Sequence, residues 1–321
     1  MSQNNAGKAN KFEAVMDAVG TIIFGKKTQI REIMLTFLAG GNVLLEDIPG
    51  VGKTAAALAF TKALGLNSKR IQFTPDVLPS DVTGYSIYQK GTGSFVFREG
   101  AVFTNLLLAD ELNRTSPKTQ SALLEARQEK QVSVEGETRS LPRPFYVIAT
   151  ENPRGSTGTQ SLPESQLDRF MTGFSFGYPD YDSELQIVQG RGSEALLSEM
   201  RPVLSPEDLL SAVLEVKKVY IKDNAARYIV DLIRATREHP GIAEGGSPRA
   251  TIALGAMAKA SAFLEGRDYV TYADISSQFP YIIRHRIILG ESARLSQSSK
   301  EDIIRNILSS VKKPSLTGRT R

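Results

Sequence analysis

The segment Asn42-Val43-Leu44-Leu45-Glu46-Asp47-Ile48-Pro49-Gly50-Val51-Gly52-Lys53-Thr54 joins an apolar run to a glycine turn, and the turn opens an Ala-rich stretch, Ala55–Leu64. A short, near-continuous apolar run reads as a strand covered on both faces, and the stretch after it reads as a helix. Glycines at such a strand-to-helix junction let backbone N–H groups close around an anion. The helix N-terminus adds its dipole, Lys53 supplies a point charge and the Thr54 hydroxyl offers a ligand for Mg²⁺. This is the chemistry of a phosphate loop, with Pro49, Gly50, Val51, Gly52, Lys53, Thr54 and Ala55 against the phosphates. Asp47 stands where the usual pattern has its first glycine, a position expected only to shape the turn. The plain alternative is an ordinary glycine turn before a helix.

Working outward, Arg70–Phe73, Asn105–Ala109 and Pro144–Thr150 read as further strands, alternating with amphipathic stretches as in a mostly parallel sheet with helices on both faces. Two segments alternate with period two around glycine turns, Tyr85–Gln89 with Ser94–Arg98, and Gln131–Glu135 with Glu137–Leu141; they read as hairpins inserted into the α/β core over 84–100 and 131–141. After Tyr178-Pro179-Asp180 the pattern turns helical. Ser205-Pro206-Glu207-Asp208 and Thr271-Tyr272-Ala273-Asp274 carry N-cap signals, Ala225–Glu238 stops at Pro240-Gly241, and a small-residue helix starts at Ser247-Pro248-Arg249. The expected organisation is an α/β domain over 1–178, a smaller all-α domain over 179–311 and a disordered basic tail over 312–321.

Three further positions complement the loop. Leu106-Leu107-Leu108-Ala109-Asp110-Glu111 ends an apolar strand in two acids. Asp110 then falls at the carboxyl edge of the sheet, where it can hold Mg²⁺ beside Thr54, and Glu111 can polarise an attacking water. Taken alone, such a pair is an ordinary solvated loop or N-cap. Asn152, after the strand ending at Thr150, can bond both the water and the γ-phosphate, or simply start an Asn-Pro turn. Arg169 and Arg249 can spread the charge of a transferring phosphoryl group. The alternatives are a local ion pair with Asp168 or Glu164 for Arg169, and a solvated first-turn residue for Arg249.

Composition removes other chemistries. With no cysteine and only His239 and His285, the chain has no means of forming disulfides, thiol nucleophiles or a transition-metal centre of its own. Hydrophobic residues at 41% and charged residues at 23% describe a soluble globular protein. The N-terminal Met1–Phe12 is polar, without the apolar stretch of a signal peptide, and the apolar-leaning Ile33–Leu45 is too short to span a bilayer, so a cytoplasmic location without membrane insertion is expected. The net charge of +4 resides in the tail: removing its four basic residues leaves 35 basic against 35 acidic over 1–311, which disfavours nucleic acid as a partner.

Motifs in this order resemble the AAA+ ATPases and, more narrowly, the MoxR family. The likeness runs from about Ile22 to Ile288 and rests on Leu44–Thr54, Arg70-Ile71-Gln72-Phe73-Thr74-Pro75-Asp76, Leu78-Pro79-Ser80-Asp81 and Asp110-Glu111-Leu112-Asn113-Arg114. It continues through Ala149–Pro153, Leu162–Phe170, Ser247-Pro248-Arg249-Ala250 and His285-Arg286. The resemblance implies a P-loop NTPase fold with a helical lid, and Mg²⁺-ATP as cofactor and substrate. Lys53 and Thr54 become Walker A, Asp110 and Glu111 Walker B, and Asn152 sensor 1. Arg169 becomes a finger acting on a neighbouring subunit and Arg249 sensor 2, closing over ATP as part of a mobile lid. Gly25 becomes the small residue beside the adenine. It further implies a homo-oligomeric ring, a hexamer, and chaperone-like action on a protein client or a von Willebrand factor A domain partner. Lys26 and Glu151 each replace an expected Gln, and Ala101 a usual Pro. The rival functions are a DNA-directed motor and a non-hydrolysing nucleotide-dependent scaffold.

Overall fold

A computed structural model describes residues 2–47, 50–91, 93–152, 162–191 and 194–314. Helices α1 (Ser2–Gly20) and α2 (Lys27–Leu38) lead into strand β1 (Val43–Glu46), then α3 (Lys53–Ala63), β2 (Ser68–Gln72) and the short α4 (Pro79–Thr83). The hairpin β3 (Tyr85–Gln89) and β4 (Ser94–Arg98) follows, then β5 (Leu106–Asp110), α5 (Pro117–Glu129), the hairpin β6 (Gln131–Val134) and β7 (Glu137–Ser140), β8 (Tyr146–Glu151), α6 (Glu164–Leu167) and β9 (Thr172–Phe174). The remainder is helical: α7 (Tyr181–Val188), α8 (Glu194–Glu199), α9 (Pro206–Lys218), α10 (Asp223–Glu238), α11 (Pro248–Leu264), α12 (Tyr272–Ile283), α13 (Glu291–Leu295) and α14 (Lys300–Ser310). One short antiparallel pair, β10 (Ile242–Glu244) with β11 (Ile288–Leu289), adds a β element to the otherwise helical lid.

The main sheet is parallel, in the order β2-β5-β8-β1-β9. The four strands read from sequence are present, displaced by one or two residues at their ends. The fifth, β9, was not anticipated, because a three-residue strand containing Gly173 carries no periodicity. That glycine has a packing role: a Cβ there would lie 2.5 Å from the buried ring of His285. Successive side chains of each central strand feed opposite faces. Val43, Leu45, Leu106, Leu108, Tyr146 and Ile148 enter one apolar cluster, while Leu44, Leu107, Ala109, Val147 and Ala149 enter the other.

The first of these clusters does not stop at the sheet. It runs through α1, α2 and α3 into the lid helices, joining Phe12, Phe37 and Phe60 to Tyr228, Phe263, Phe279 and Ile304. Polar contacts reinforce the same seam: Gln278 donates to Glu32, and Arg284 pairs with Glu46 at 2.7 Å. Base and lid therefore share one core. The expected caps are formed, with Ser205, Ser247 and Thr271 accepting from backbone N–H groups in the first turns of α9, α11 and α12. Among the described residues no helix is long and apolar enough to cross a membrane. Residues 315–321 of the expected tail lie outside the described residues.

Candidate active site

Parallel register brings the ends of β1, β5 and β8 to one edge of the sheet, where ligands of open α/β sheets bind. Gln72 lies opposite Asp110, and Glu46 opposite Glu151, across that edge. A cavity of about 390 Å³ opens there, lined by Gly50, Gly52, Lys53, Thr54, Ala55, Arg70, Gln72, Asp110, Glu111 and Asn152. Gly50 and Gly52 have φ of 89° and 93°, a region that favours glycine, and no atom of the described residues lies within 4 Å of where a Cβ would project. Gly52 is the N-cap of α3 and has no side chain to satisfy the first-turn N–H groups, which stay available to an anion. Val51 is buried beneath the loop, and Pro49 lies outside the described residues. Lys53 Nζ donates to the Asp47 carbonyl at 3.0 Å. Burial pulls the Lys53 pKa below its ordinary value, against the opposing pull of the Asp47, Asp110 and Glu111 carboxylates.

Asp47 does more than shape a turn. Its buried carboxylate accepts from Ser175 Oγ at 2.6 Å, Gly177 N at 3.1 Å and Phe176 N. The residue that departs from the glycine pattern thus ties the phosphate loop to the segment leaving β9. Lys26, the expected Gln position, is likewise buried and donates to the Tyr178 carbonyl at 2.6 Å. Gly25 sits on the adjoining flank in a second cavity of about 480 Å³ with Ile23, Phe24 and Gln186, and its Cα faces Ser183 so closely that a Cβ would meet Oγ at 2.4 Å.

The acids are held by a network of groups, few of which the sequence motifs mark. Thr150 Oγ1 donates to Asp110 Oδ1 at 2.6 Å and accepts from Glu111 N at 2.8 Å, and Arg70 pairs with Asp110 Oδ2 at 2.7 Å. Glu111 takes a left-handed backbone (φ 56°, ψ 45°), uncommon for a non-glycine, which turns its carboxylate into the cavity. Asn152 Nδ2 donates to Glu111 Oε1 at 2.9 Å; Arg114 and Gln72 donate to Oε2 at 3.0 and 3.3 Å. Burial raises the Glu111 pKa, but these three hydrogen bonds outweigh it and the net shift is downward. An ionised carboxylate accepts at about four sites, so a place remains for a water. Asn113 in turn fixes the Asn152 backbone from both sides, at 3.1 and 3.2 Å. Arg70, Gln72, Asn113 and Thr150 were legible only as members of motif stretches, since nothing in their spacing marks a role.

Thr54 and Asp110 line one cavity with a hydroxyl and a carboxylate. That hard-oxygen pair suits Mg²⁺, a cation bound through one or two protein oxygens plus substrate phosphates, and no larger cluster of acids or histidines able to hold a metal occurs among the described residues.

Arg169 and Arg249 are not brought to this cavity. Both line a separate one of about 290 Å³, with Gln128, Asp168, Arg127 and Arg286. Arg169 donates to Gln128 Oε1 at 2.6 Å rather than pairing with Asp168, whose carboxylate is taken by Ser247 Oγ at 2.8 Å, Arg286 Nε at 3.0 Å and, at 4.0 Å, Arg249. Buried Arg286, on the segment after α12, also donates to the carbonyls of Asp168, Phe170 and Met171, so a lid residue sets the loop that carries Arg169. Arg127 is buried, stacks 4.2 Å over Phe170 and, among the described residues, leaves Nη1 without a partner. Burial first, then the charges of Arg169, Arg286 and Arg249, lower its pKa to about 9. Four guanidiniums against one carboxylate make this wall strongly anion-seeking. Arg127 was missed as a contributor because a lone arginine in a helical pattern reads as solvated, and Arg286 was legible only as part of the His285-Arg286 motif stretch.

Comparison with known proteins agrees with this fold. The model of the "ATPase family associated with various cellular activities (AAA)" matches residues 42–172, and that of the "AAA lid domain" matches 234–307. The chain is 37% identical to Chaperone MoxR1 of Mycobacterium tuberculosis (strain ATCC 25618 / H37Rv) over 96% of its length and 84% of the relative's. It is 44% identical to YeaC of Bacillus subtilis (strain 168) over 93% of each. A crystal structure of a protein from Cytophaga hutchinsonii ATCC 33406 superposes with a TM-score of 0.90 at 39% identity, covering 98% of both chains. A phosphate loop, an acidic strand end and a polar strand end on one sheet edge, with a lid of the matching family, identify the chain as a member of the MoxR family of AAA+ ATPases.

Proposed function

We propose that this chain hydrolyses ATP in the cytoplasm, within a homo-oligomeric ring, a hexamer by family likeness, and that hydrolysis drives chaperone-like remodelling or activation of a protein client or a von Willebrand factor A domain partner. Thr54 and Asp110 would hold Mg²⁺, which would neutralise charge on the phosphate oxygens. Lys53 and the loop amides fix the phosphates, Glu111 orients and polarises water, and Asn152 aligns Glu111. Arg169 and Arg249 complete the site of the neighbouring subunit. For Arg249 this replaces closure over the same chain's ATP. The domain division at 178 stays part of the proposal, with the shared core favouring base and lid moving together, so that nucleotide state is felt across subunits rather than within one.

The observation that carries the reading is the separation of the two cavities: one holds Lys53, Thr54, Asp110, Glu111 and Asn152 and lacks both arginines, while the other holds the arginines and is lined by no residue of the phosphate loop. Each is half of a site. The exposed aromatics Tyr85, Tyr88 and Phe95 on the first hairpin offer a surface for a client. The test mixes two inactive variants, Glu111→Gln and Arg169→Ala. Where arginine of one subunit serves the acid of the next, mixed rings recover phosphate release; mixed rings that stay inactive refute the shared site.

A further inference from the structure

Helix α7 leaves its large apolar side chains exposed, Ile187 on the anchored side among them. Its residues Tyr181, Leu185 and Val188, spaced i, i+4, i+7, form an apolar stripe of the kind a helix ordinarily buries, yet they are 80%, 46% and 84% exposed. The opposite face supplies the anchor: Ser183 is buried against Gly25. The chain entering α7 is fixed beside the phosphate loop, through Asp47 on residues 175–177 and Lys26 on Tyr178. The helix therefore stands on the flank of the phosphate loop, where its Gln186 lines the cavity around Gly25, and among the described residues nothing covers the stripe. It is rimmed by acids, with Asp180 at the N-cap and Asp182 and Glu184 in the first turn, all exposed.

The complement lies on the arginine side. A groove of about 440 Å³ is lined by Leu38, Ile229, Val230 and Ile252, with Lys217 and Lys259 on its rim and no acid in its wall. Ile252, itself 73% exposed, lines both this groove and the arginine cavity, so the two are continuous. If the arginine cavity of one subunit faces the phosphate loop of the next, as proposed above, whatever flanks that loop meets whatever flanks the arginines.

We infer that α7 of one copy docks its Tyr181–Leu185–Val188 stripe into the Leu38–Val230–Ile252 groove of a second copy, with Asp182 and Glu184 against Lys217 and Lys259, and that this contact holds the two half-sites together. The interface is head-to-tail, so each copy offers one helix and one groove, and repetition continues beyond a pair, into a ring where the rotation closes and a filament where it does not. The occupant is a second copy on two grounds: the acidic rim of α7 complements the basic rim of the groove, and the groove is continuous with the arginine wall that lacks a phosphate loop of its own. Burial of an apolar stripe supplies adhesion, and the charges select the register.

The inference rests on the shared-site reading, and the experiments separate the two. Because the full chain has no cysteine, the double variant Val188→Cys/Val230→Cys presents one thiol on the helix and one in the groove. With ATP and a short bis-maleimide it is expected to give a ladder of covalent multimers, and either single variant is expected to give none. Val188→Asp, at an exposed position, is expected to keep the melting temperature of the dilute chain while weakening assembly, read by light scattering, by about tenfold or more. Lys259→Glu should weaken assembly and Glu184→Lys in the same chain restore it. A double-cysteine chain that assembles without a ladder, or a Val188→Asp chain that assembles like the wild type, overturns the docking. If the Glu111→Gln and Arg169→Ala mixture still recovers activity in that case, the shared site stands and only the docking mode falls; if it does not, both fall.

Discussion

Removing the Asp168 carboxylate tests how the arginine wall is assembled. In the wild-type protein it bonds Ser247 Oγ at 2.8 Å and Arg286 Nε at 3.0 Å, and the Arg286 side chain is only 3% exposed. Asp168→Ala strands that guanidinium, already destabilised by burial, which lowers its pKa to about 10. Breaking a buried pair by deleting one partner costs about 3–5 kcal/mol. Two features reduce this: Arg286 keeps its bonds to the carbonyls of Asp168, Phe170 and Met171, and the Asp168 side chain is 20% exposed. A loss of about 2–3 kcal/mol is the result expected, a fall in Tm of about 3–5 °C for a chain of this size. The assay is thermal unfolding of Asp168→Ala, Arg286→Met and the double variant. A direct interaction gives a coupling energy of about 1 kcal/mol or more in the cycle. Fluorescent-nucleotide binding should be unchanged, because neither residue lines the phosphate-side cavity, whereas ATPase activity should fall with the misplaced Arg169 loop. A single variant melting within about 1 °C of wild type, or strictly additive effects, would refute the reasoning.

Other outcomes follow from single contacts. Asp47→Gly restores the commoner loop pattern yet leaves the Phe176 and Gly177 amides without their acceptor; it should lose about 2–4 kcal/mol in urea unfolding, and an unchanged midpoint would show the carboxylate to be idle. Glu32 is buried at the base–lid seam with Oε2 unpartnered among the described residues, and burial raises its pKa to about 7, against the hydrogen bond from Gln278. An acid with a raised folded pKa contributes stability that is complete below its unfolded value near 4.5 and lost as pH climbs through about 7, by up to about 3 kcal/mol. Glu32→Gln should therefore raise Tm at pH 8 more than at pH 5, and equal shifts at both would dismiss the effect. Glu111→Gln should retain ATP binding and lose phosphate release by about a hundredfold or more, since an amide polarises water poorly; undiminished release would move the role to another group.

Much of this molecule was legible in its residues. The phosphate loop, the acidic end of β5 and Asn152 could be read because strand-to-edge chemistry is local: a glycine junction, a polar residue after an apolar run, a cap three residues before its acid. The helix starts at Ser205, Ser247 and Thr271 were readable for the same reason, each being satisfied within its own first turn. What the sequence left open depends on partners far along the chain. Asp47 acquires its role from residues 175–177, and Glu111 its aim from a Thr150 hydroxyl 39 residues away. Arg249 joins Arg169, rather than Lys53, because the lid packs through one continuous apolar core against α2 and β9, which fixes the face it presents. Local patterns decide which groups are available; burial and long-range hydrogen bonds, which have no period to read, decide which of them meet.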